Sequence, residues 1–516
     1  MRLDKLFENY ENVDRVECKR TGAIPPDWLK GTLLRNGPGK FKYGDTEVKH
    51  WFDGLAYMQR YSFKDGKMFY MAKCLESDSY KACEKANRWC IPSFGTTKFP
   101  DPCQTLFGKL QSYFEKEVEL DNCLVNFVQL ADSVYALTET VTVVKVDPET
   151  LAMLGKEDIS DHLSIVSSTA HPQGDYEGNV YNAGHNFGKE YVFTKTNGSK
   201  GSFEETTLLA KVPYDDRWNA GYHHSFGMSD NYVVLFETPI RISVKKLLMR
   251  KVISYSFHDS LYWKDETNTN VIVVDKKTGM KHTIQFTAPP FFTFHHANTY
   301  EADGFIVADF CHMKNPGKFD DLLMEHMRDG TFGTRNPDFV PHLYRMVIPT
   351  TIPDGAKDGD DLNKSSSHHR GSTAILQTDG SVFCTPVKLC DFTFEFPRYN
   401  WDKYNMRPYR YVYGSTLLFP EETNKLVGIV KADVETGKVQ YWTRDHERQL
   451  CAEPVFLGDP EGIDEDDGVL LVPVMTVKDE DLPIFLILDA KDLSEICRYS
   501  IPTDRLPPSF HSLFVQ

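Results

Sequence analysis

Short apolar runs separated by turn-forming residues are the dominant pattern along the chain. Runs of four or five apolar residues, many of them β-branched, occur at 232–236, 271–274, 469–472 and 484–488. Runs of this length and composition predict β-strands. Turn-forming sequences that suit tight hairpins lie beside several such runs, at 276–279, 377–380 and 435–438. Because long helical periodicity is scarce, the pattern predicts an all-β fold.

The length of the chain limits how these strands can be arranged. All 516 residues run without a linker rich in proline or serine, so we expect one domain over residues 1–516. Radial repetition of small sheets protects strand edges and accommodates many strands, which favours a β-propeller. A pair of β-sandwiches is the alternative. No repeated motif such as a tryptophan–aspartate signature is present, so the repeats do not give the number of blades.

The composition excludes several classes of function. The chain is 41% hydrophobic and 26% charged, as in ordinary globular proteins, and its formal net charge is -16. This charge argues against nucleic acid as a partner, since such binding normally needs a basic face. The first residues lack the apolar stretch of a secretory signal, and no run of about 18 apolar residues could span a membrane. Eleven cysteines without a Cys-x-x-Cys pair indicate reduced thiols, so we expect a cytoplasmic protein.

Two polar segments are interpreted as loops. The stretch 354–361 is rich in glycine and aspartate, and His368 and His369 follow it without apolar neighbours. We expect these two histidines to be exposed side chains rather than metal ligands. The acidic run 464–468 lacks the ligand spacing of an EF-hand calcium loop, so a hairpin turn is the preferred interpretation.

Four separated segments place histidine among apolar or aromatic residues. They are Ala-His-Pro at 170–172, His-Ser-Phe at 224–226, Phe-His-His-Ala-Asn at 294–298 and Phe-His-Ser at 510–512. Four neutral imidazoles suit a divalent transition metal such as iron, which keeps open positions for dioxygen. For any one of the 17 histidines, a hydrogen-bonded ring in the core is the competing interpretation. The motifs of zinc proteases, serine esterases and P-loop enzymes are absent, which leaves histidine and glutamate as candidate groups.

Ordered motifs along nearly the whole chain resemble one protein family. They are Leu-Leu-Arg-Asn-Gly-Pro-Gly at 33–39, His-Trp-Phe-Asp-Gly at 50–54, Phe-Pro-Asp-Pro-Cys at 99–103, Thr-Glu-Thr at 138–140, Glu-Phe-Pro-Arg at 395–398, Glu-Pro at 453–454 and Phe-His-Ser-Leu-Phe at 510–514. On these motifs the chain resembles the carotenoid cleavage oxygenases, in the animal branch that also holds the retinal pigment epithelium retinoid isomerase. The resemblance implies a seven-bladed β-propeller with iron on its axis, under a dome of loops and helices.

The resemblance also implies which residues bind the iron(II) ion. The four ligands it assigns are His171, His224, His295 and His511. The choice of His295 over its neighbour His296 rests on the family pattern His-x-x-Asn, which Asn298 completes. The residues alone leave these two neighbours open. His223 and His296 are then non-ligands.

Three glutamates are implied as partners of the ligand rings. A carboxylate that accepts the second N–H of a metal-bound imidazole fixes its tautomer and its orientation. The resemblance assigns Glu139 to His224, Glu395 to His295 and Glu453 to His511, and leaves His171 without a glutamate. A surface carboxylate is the competing interpretation for each. Their apolar sequence neighbours favour the buried role, because an unpaired buried carboxylate would be costly.

A rigid conjugated substrate needs a long apolar cavity. Aromatic residues make up 13% of the chain, and such side chains are the usual lining of apolar sites. In the family an apolar side chain partly screens one open position of the iron, and Val125 matches that place. Phe94, Thr138 and Tyr222 match cavity residues, although ordinary core packing competes for each aromatic. Phe52 is interpreted as structural.

Two segments are candidates for contact with a membrane surface. Leucines and phenylalanines at helical spacing follow Cys103, and a second segment at 245–253 mixes basic and apolar residues. The candidate contact residues are Leu106, Phe107, Leu110, Phe114, Leu247 and Leu248. Core-facing helices are the alternative. Cys103 matches a proposed acylation site, but a single acyl chain would give only marginal anchoring.

The expected activity is oxidative cleavage of a carotenoid by dioxygen at its central double bond, which gives retinal-type aldehydes. This reaction needs no acid or base from the protein, so positioning of the substrate selects the bond. Coupled trans-to-cis isomerisation fits the sequence, while eccentric cleavage and retinyl ester isomerohydrolase activity are the alternatives within the family. A metal-free propeller that only binds carotenoid is the alternative from another class. The oligomeric state stays open.

Overall fold

The computed structural model describes residues 2–100, 120–250, 254–417 and 425–516. These residues form seven β-sheet units, called blades 1 to 7 here, whose strand pairs are antiparallel except for the parallel pair of Phe286–Ala288 with Val382–Thr385 in blade 4. Four of the blades bring a histidine to one central point. The predicted all-β propeller is therefore confirmed.

The first four blades follow one another along the chain and are given from the innermost strand outward. Blade 1 consists of Ser512–Val515, Gly31–Arg35, Leu55–Lys64, Lys67–Cys74 and Val13–Gly22. Blade 2 consists of Asn126–Leu130, Ser133–Leu137, Thr142–Val146 and Met153–Asp158. Blade 3 consists of Ser167–Ser168 with Gln173–Gly174, then Asn179–Asn186, Glu190–Asn197 and Thr206–Pro213. Blade 4 consists of Gly227–Met228, Tyr232–Glu237, Thr269–Asp275 and Phe286–Ala288, extended by Val382–Thr385 and Thr373–Leu376.

The remaining three blades complete the ring. Blade 5 consists of Phe292–Ala302, Phe305–Met313, His342–Pro349 and Val387–Thr393. Blade 6 consists of Glu395–Arg398, Tyr411–Ser415, Val427–Asp433 and Val439–Thr443. Blade 7 consists of Gln449–Cys451 with Val455–Gly458, then Gly468–Thr476, Ile484–Asp489 and Glu495–Ser500.

Central blade strands are buried on both faces, which explains their continuous apolar runs. In the strand Gly468–Thr476, Leu471 packs in a cluster shared with blade 1, while Leu470 and Val472 pack with blade 6. Successive side chains of a strand point to opposite faces, so a strand between two neighbouring blades needs apolar residues at consecutive positions. The sequence pattern of short unbroken apolar runs therefore has a direct structural cause.

The two ends of the chain close the ring in blade 1. The C-terminal strand Ser512–Val515 pairs antiparallel with Gly31–Arg35. The guanidinium of Arg35, which is 2% exposed, donates hydrogen bonds to the carbonyl of Ser509 at 2.9 Å and to the hydroxyl of Ser512 at 3.1 Å. On the outside, Val13–Gly22 pairs with strands of both blade 1 and blade 7. The first and last blades are thus joined twice.

The connections between strands carry the helices, and those on one face form the predicted dome. Within the described ranges, the α-helices are Asp78–Ala86, Val244–Met249, Phe257–Ser260, Met324–Asp329 and Trp401–Tyr404. The 3-10 helices are Asp4–Phe7, Trp51–Asp53, Ile159–Asp161, Gly198–Lys200, Phe203–Glu205, Asp320–Leu322, Pro337–Phe339 and Leu362–Ser365. A small sheet contains Asn219–Gly221, Ile240–Ser243 and Leu261–Trp263, and further short strands are Pro38–Lys40, Lys42–Tyr43 and Thr46–Glu47.

The two polar segments differ in how far they follow the sequence expectation. The acidic run is a hairpin turn of blade 7, as predicted, and lysines neutralise it: Lys491 contacts Asp464 at 2.8 Å and Lys431 contacts Asp466 at 2.6 Å. The expectation that His368 and His369 are exposed was wrong, because both are half-buried. The ring of His368 lies 3.2 Å from the hydroxyl of Tyr300, so the strands of blade 5 cover it.

Removing residues 512–516 should destabilise the whole ring, since this deletes the innermost strand of blade 1 and leaves Gly31–Arg35 unpaired on that side. We expect the midpoint of thermal unfolding, followed by circular dichroism, to fall by about 5 °C or more. Removal of Gln516 alone, which is exposed and lies outside the strand, is the control. Equal midpoints for the two truncations would contradict the closing role of this strand.

Candidate functional site

Four histidines from four blades meet at the centre of the propeller. His171 lies between the inner strands of blade 3, and His224 precedes the inner strand of blade 4. His295 lies within Phe292–Ala302 of blade 5, and His511 directly precedes the closing strand of blade 1. One ring nitrogen from each lies within 4.8 Å of the other three, and all four rings are almost completely buried. The structure therefore brings together the four histidines that the sequence singled out.

The nitrogens that face each other are Nε2 atoms. The Nε2 atoms of His171 and His224 are 2.9 Å apart, and those of His295 and His511 are 3.1 Å apart. In the second pair, both rings have a carboxylate beside Nδ1, so both neutral rings carry their proton on Nδ1 and a lone pair on Nε2. Two lone pairs at this separation repel unless a cation binds both. The donor set thus fits a divalent transition metal.

Three glutamates accept hydrogen bonds from the outer nitrogens of these rings. Nδ1 of His224 lies 2.5 Å from Glu139, and Nδ1 of His295 lies 2.5 Å from Glu395. Glu453 lies 3.0 Å from Nδ1 of His511. These pairings match the expected assignment. Within the described part of the chain, no carboxylate lies within ion-pair distance of His171.

The glutamates come from the three blades that supply no histidine. Glu139 lies in the hairpin between Ser133–Leu137 and Thr142–Val146 of blade 2, and Glu395 begins the inner strand of blade 6. Glu453 lies between the two inner strands of blade 7. Every blade therefore sends one functional side chain to the axis, a histidine or a glutamate.

Further groups hold the carboxylates, and the sequence did not reveal this role for them. The hydroxyl of Tyr222 donates to Glu139 at 2.9 Å, and the backbone N–H of Phe396 donates to Glu395 at 2.6 Å. The guanidinium of Arg398 donates to Glu453 at 3.0 Å. For Arg398, its place in the Glu-Phe-Pro-Arg motif was the signal that could have indicated this role. Tyr222 was expected only in the cavity wall.

The local electrostatics disfavour the protonated form of two of the rings, His171 and His511. Burial lowers the pKa of His171 well below its usual value near 6.5, and the neighbouring rings lower it further. Burial has the same effect on the pKa of His511, with His295 as the next cause. A neutral imidazole is the form that binds a metal ion, so protonation of His171 and His511 does not compete with coordination at physiological pH.

The neighbouring histidines make other contacts. Nδ1 of His296 lies 2.9 Å from the hydroxyl of Ser225, and the ring of His223 packs 4.5 Å from that of His185. Neither belongs to the group that could hold a metal ion.

A cavity of about 500 Å³ lies beside the four histidines. All four residues that the sequence placed in its wall line it, namely Phe94, Val125, Thr138 and Tyr222. Most of the remaining wall is apolar, with aromatic rings from the dome, and this suits a long apolar ligand. Val125 also touches the centre through its backbone, because its carbonyl accepts the N–H of His511 at 3.3 Å.

Phe52, which the sequence analysis interpreted as structural, also lines the cavity. It packs 5.3 Å from Phe94 and 5.6 Å from Phe510, measured between ring centroids. The cause is the 3-10 turn Trp51–Asp53, in which the side chains of His50 and Asp53 cap each other's backbone. This turn directs Phe52 inward.

One of the two candidate membrane segments can be located. Within Val244–Met249, Leu247 is half-buried against the core, while Leu248 is 69% exposed and Met249 is 47% exposed. Arg250, just after this helix, lines the cavity. The other candidates, Leu106, Phe107, Leu110 and Phe114 with Cys103, lie outside the described residues. No helix in the described part of the chain combines the length and hydropathy that a membrane span requires.

Known proteins resemble this chain over nearly its whole length. A family model described as retinal pigment epithelial membrane protein matches residues 6–516. The β,β-carotene 15,15'-dioxygenase of Rattus norvegicus is 34% identical over 519 residues, which cover 98% of this chain and 90% of that relative. The mitochondrial carotenoid-cleaving dioxygenase of Homo sapiens is 32% identical over 532 residues, which cover 99% of this chain and 90% of that relative.

Solved structures support the same fold. The cobalt-substituted apocarotenoid oxygenase of Synechocystis matches with a TM-score of 0.76 at 21% identity, covering 99% of this chain and 98% of that one. The predicted family, and with it the prediction that the chain is an enzyme, is confirmed. On the match over residues 6–516 and on relatives about a third identical over 90% of their length, the chain belongs to the retinal pigment epithelial membrane protein family of carotenoid oxygenases.

Proposed function

We propose that this protein is an iron(II)-dependent dioxygenase that cleaves the central double bond of a carotenoid to retinal-type aldehydes. The observation that carries the proposal is the pair of facing Nε2 atoms on His295 and His511, each ring fixed by a glutamate, in the wall of an aromatic cavity. The names of the two relatives supply the substrate class, since one is a β,β-carotene 15,15'-dioxygenase and the other a carotenoid-cleaving dioxygenase.

The four histidines would hold the metal and the glutamates would orient them. In this proposal His171, His224, His295 and His511 bind iron(II) through Nε2, and Glu139, Glu395 and Glu453 keep three of the rings in the required tautomer. When bound, iron(II) would activate dioxygen, whose two unpaired electrons otherwise make its reaction with a spin-paired alkene slow. In the overall reaction one C=C bond breaks and each carbon receives one oxygen atom.

The remaining side chains position the substrate. None of the residues beside the four histidines has to transfer a proton, because dioxygen supplies both oxygens of the aldehydes. Phe52, Phe94 and Tyr222 offer aromatic faces to a flat polyene, and Val125 narrows the space beside His511. The hydroxyl of Tyr222 is occupied by Glu139, so the face of this residue rather than its polar tip meets the substrate. The shape of this wall then selects which double bond reaches the centre.

We further propose a cytoplasmic protein that contacts a membrane surface peripherally. The exposed Leu248 and Met249 lie beside the basic residues Lys245 and Lys246, next to a residue of the cavity wall. An apolar substrate resides in membranes, so apolar side chains close to the cavity would shorten its path. Leu248 is the strongest candidate, since Leu247 packs inward.

The activity is tested by product analysis. The purified protein, supplied with iron(II), β-carotene in detergent and oxygen, should release aldehydes with half the carbon skeleton of the substrate, identified by chromatography and mass spectrometry. A cis product would establish coupled isomerisation. Longer apocarotenals would instead indicate eccentric cleavage. Conversion of a retinyl ester without oxygen would indicate isomerohydrolase activity. Carotenoid binding without iron and without product would favour the scaffold alternative.

The role of the glutamates predicts a loss of metal affinity in Glu395→Gln. The amide keeps the shape of the side chain but weakens the charge-assisted hydrogen bond to Nδ1 of His295. We expect iron to bind about 10-fold to 100-fold more weakly, measured as iron retained after dialysis against a chelator series. Glu447→Gln, which changes an exposed glutamate, is the matched control. Equal retention by both variants would contradict the orienting role.

The membrane proposal predicts weaker vesicle binding by Leu248→Asp. Placing a charge at this exposed position removes apolar contact area and repels anionic headgroups. We expect the fraction that sediments with phosphatidylcholine–phosphatidylserine vesicles to fall by about threefold or more. Leu154→Asp is the matched control, since Leu154 is 59% exposed on the outer strand of blade 2. If both variants sediment like the wild type, the helix is not a membrane contact.

A further inference from the structure

Two cysteine thiols lie in contact outside the histidine centre. The Sγ atoms of Cys83 and Cys90 are 3.7 Å apart. Cys83 is fully buried and Cys90 is half-buried, so one thiol of the pair is within reach of solvent. Every cysteine in the described ranges is a free thiol, and neither member of this pair takes part in the proposed reaction.

The backbones on both sides of the contact are firmly held. Cys83 lies on the helix Asp78–Ala86, whose first N–H groups at Asp78 and Ser79 donate to the buried carboxylate of Asp121 at 2.8 and 3.0 Å. Cys90 follows Trp89, whose fully buried indole donates to the hydroxyl of Ser93 at 3.0 Å. The close approach of the two thiols is therefore imposed by the fold.

The separation is close to that of a disulfide. A disulfide holds its sulfurs about 2.05 Å apart, so the two Sγ atoms must approach by about 1.7 Å, which is within the range of side-chain rotation.

The two thiols differ in reactivity. The hydrogen bond with Cys83, helped by the charges of Arg88 and Lys98, lowers the pKa of Cys90 to about 7. The same hydrogen bond and burial raise the pKa of Cys83. The thiolate is the nucleophile in thiol chemistry, so Cys90 reacts first. Cys83 is the resolving thiol, which reacts with the oxidised Cys90 in a second step.

We propose that Cys83 and Cys90 form a peroxide-sensitive dithiol, a modification site distinct from the histidine centre. The Cys90 thiolate attacks hydrogen peroxide, so an S–O bond forms, the O–O bond breaks and one water leaves after protonation. The Cys83 thiol then attacks the sulfenic sulfur, so the S–S bond forms, the S–O bond breaks and a second water leaves. One peroxide and two thiols give one disulfide and two waters.

The position of the pair gives the modification access to the cavity. Residues 91–94, which directly follow Cys90, line the cavity wall. A disulfide would tie this segment to the helix Asp78–Ala86, and Phe94 would be fixed relative to the helix.

Peptide mapping of the full-length protein tests the proposal. Trypsin cuts after Lys81, Lys85, Arg88 and Lys98, so the two cysteines lie in separate peptides, 82–85 and 89–98. After hydrogen peroxide at neutral pH, we expect these peptides to be linked, two hydrogens lighter than their sum, and separated again by dithiothreitol. The rate should rise about tenfold between pH 6 and pH 8, following the thiolate fraction of Cys90.

Variants make the outcome specific. Cys90→Ser should abolish the linked peptide, and Cys83→Ala should leave a sulfenic acid at Cys90 that dimedone traps. Cys384 is the internal control, because burial raises its pKa to about 12 and it should stay reduced. The proposal is overturned if both thiols remain free after peroxide, if Cys90 pairs with a different cysteine, or if Cys90 becomes sulfinic acid while Cys83 stays free.

Discussion

The meeting of four imidazole lone pairs at one buried point is the constraint on which the rest of the structure depends. His295 and His511 face each other at 3.1 Å with their protons committed to Glu395 and Glu453. Glu395 and Glu453 are buried, and buried carboxylates are costly in a medium of low dielectric constant unless a cation balances them. Arg398 balances Glu453, and a metal cation at the centre would balance Glu395. The same cation removes the repulsion between the lone pairs, so one charge solves both problems. The propeller supplies the geometry, because its axis is the place where side chains from every blade converge.

His511 takes part both in closing the ring of blades and in forming the histidine centre. Its N–H donates to the carbonyl of Val125 on blade 2 at 3.3 Å, and its carbonyl accepts the N–H of Asn36 on blade 1 at 2.9 Å. The next residue begins the strand that closes the ring. Opening of the propeller ring at this joint would therefore displace His511 and its partner Glu453 together. The buried Arg35, which binds the same C-terminal segment, links the stability of blade 1 to the position of His511.

The sequence revealed the strands and the four central histidines better than it revealed the walls around them. Strands such as Gly468–Thr476 were predictable because burial on both faces requires an unbroken run of apolar residues. The register at His295 needed the family pattern, since His296 has equally apolar sequence neighbours. Only the structure shows that His296 contacts Ser225 and Phe236 instead of the central histidines. The inward turn of Phe52 depends on a reciprocal cap between His50 and Asp53, whose tertiary setting no local pattern encodes. The contact of Cys83 with Cys90 was missed for the same reason.

These contacts give the blades and the dome different roles: the blades position the central histidines and glutamates, and the dome shapes the cavity. A substitution on an inner blade strand shifts a histidine or the carboxylate that holds it, so it alters the centre itself. A substitution at Phe52 or Phe94 changes the shape of the cavity without touching a ring of the four central histidines, because the two rings pack on each other. Phe52 also packs on Phe510, and Phe94 packs on Phe257. The bond that is cleaved should therefore be governed by dome segments such as Trp51–Asp53 and residues 91–94. The dithiol lies at the start of the second segment, where a covalent change reaches the cavity and leaves the centre intact.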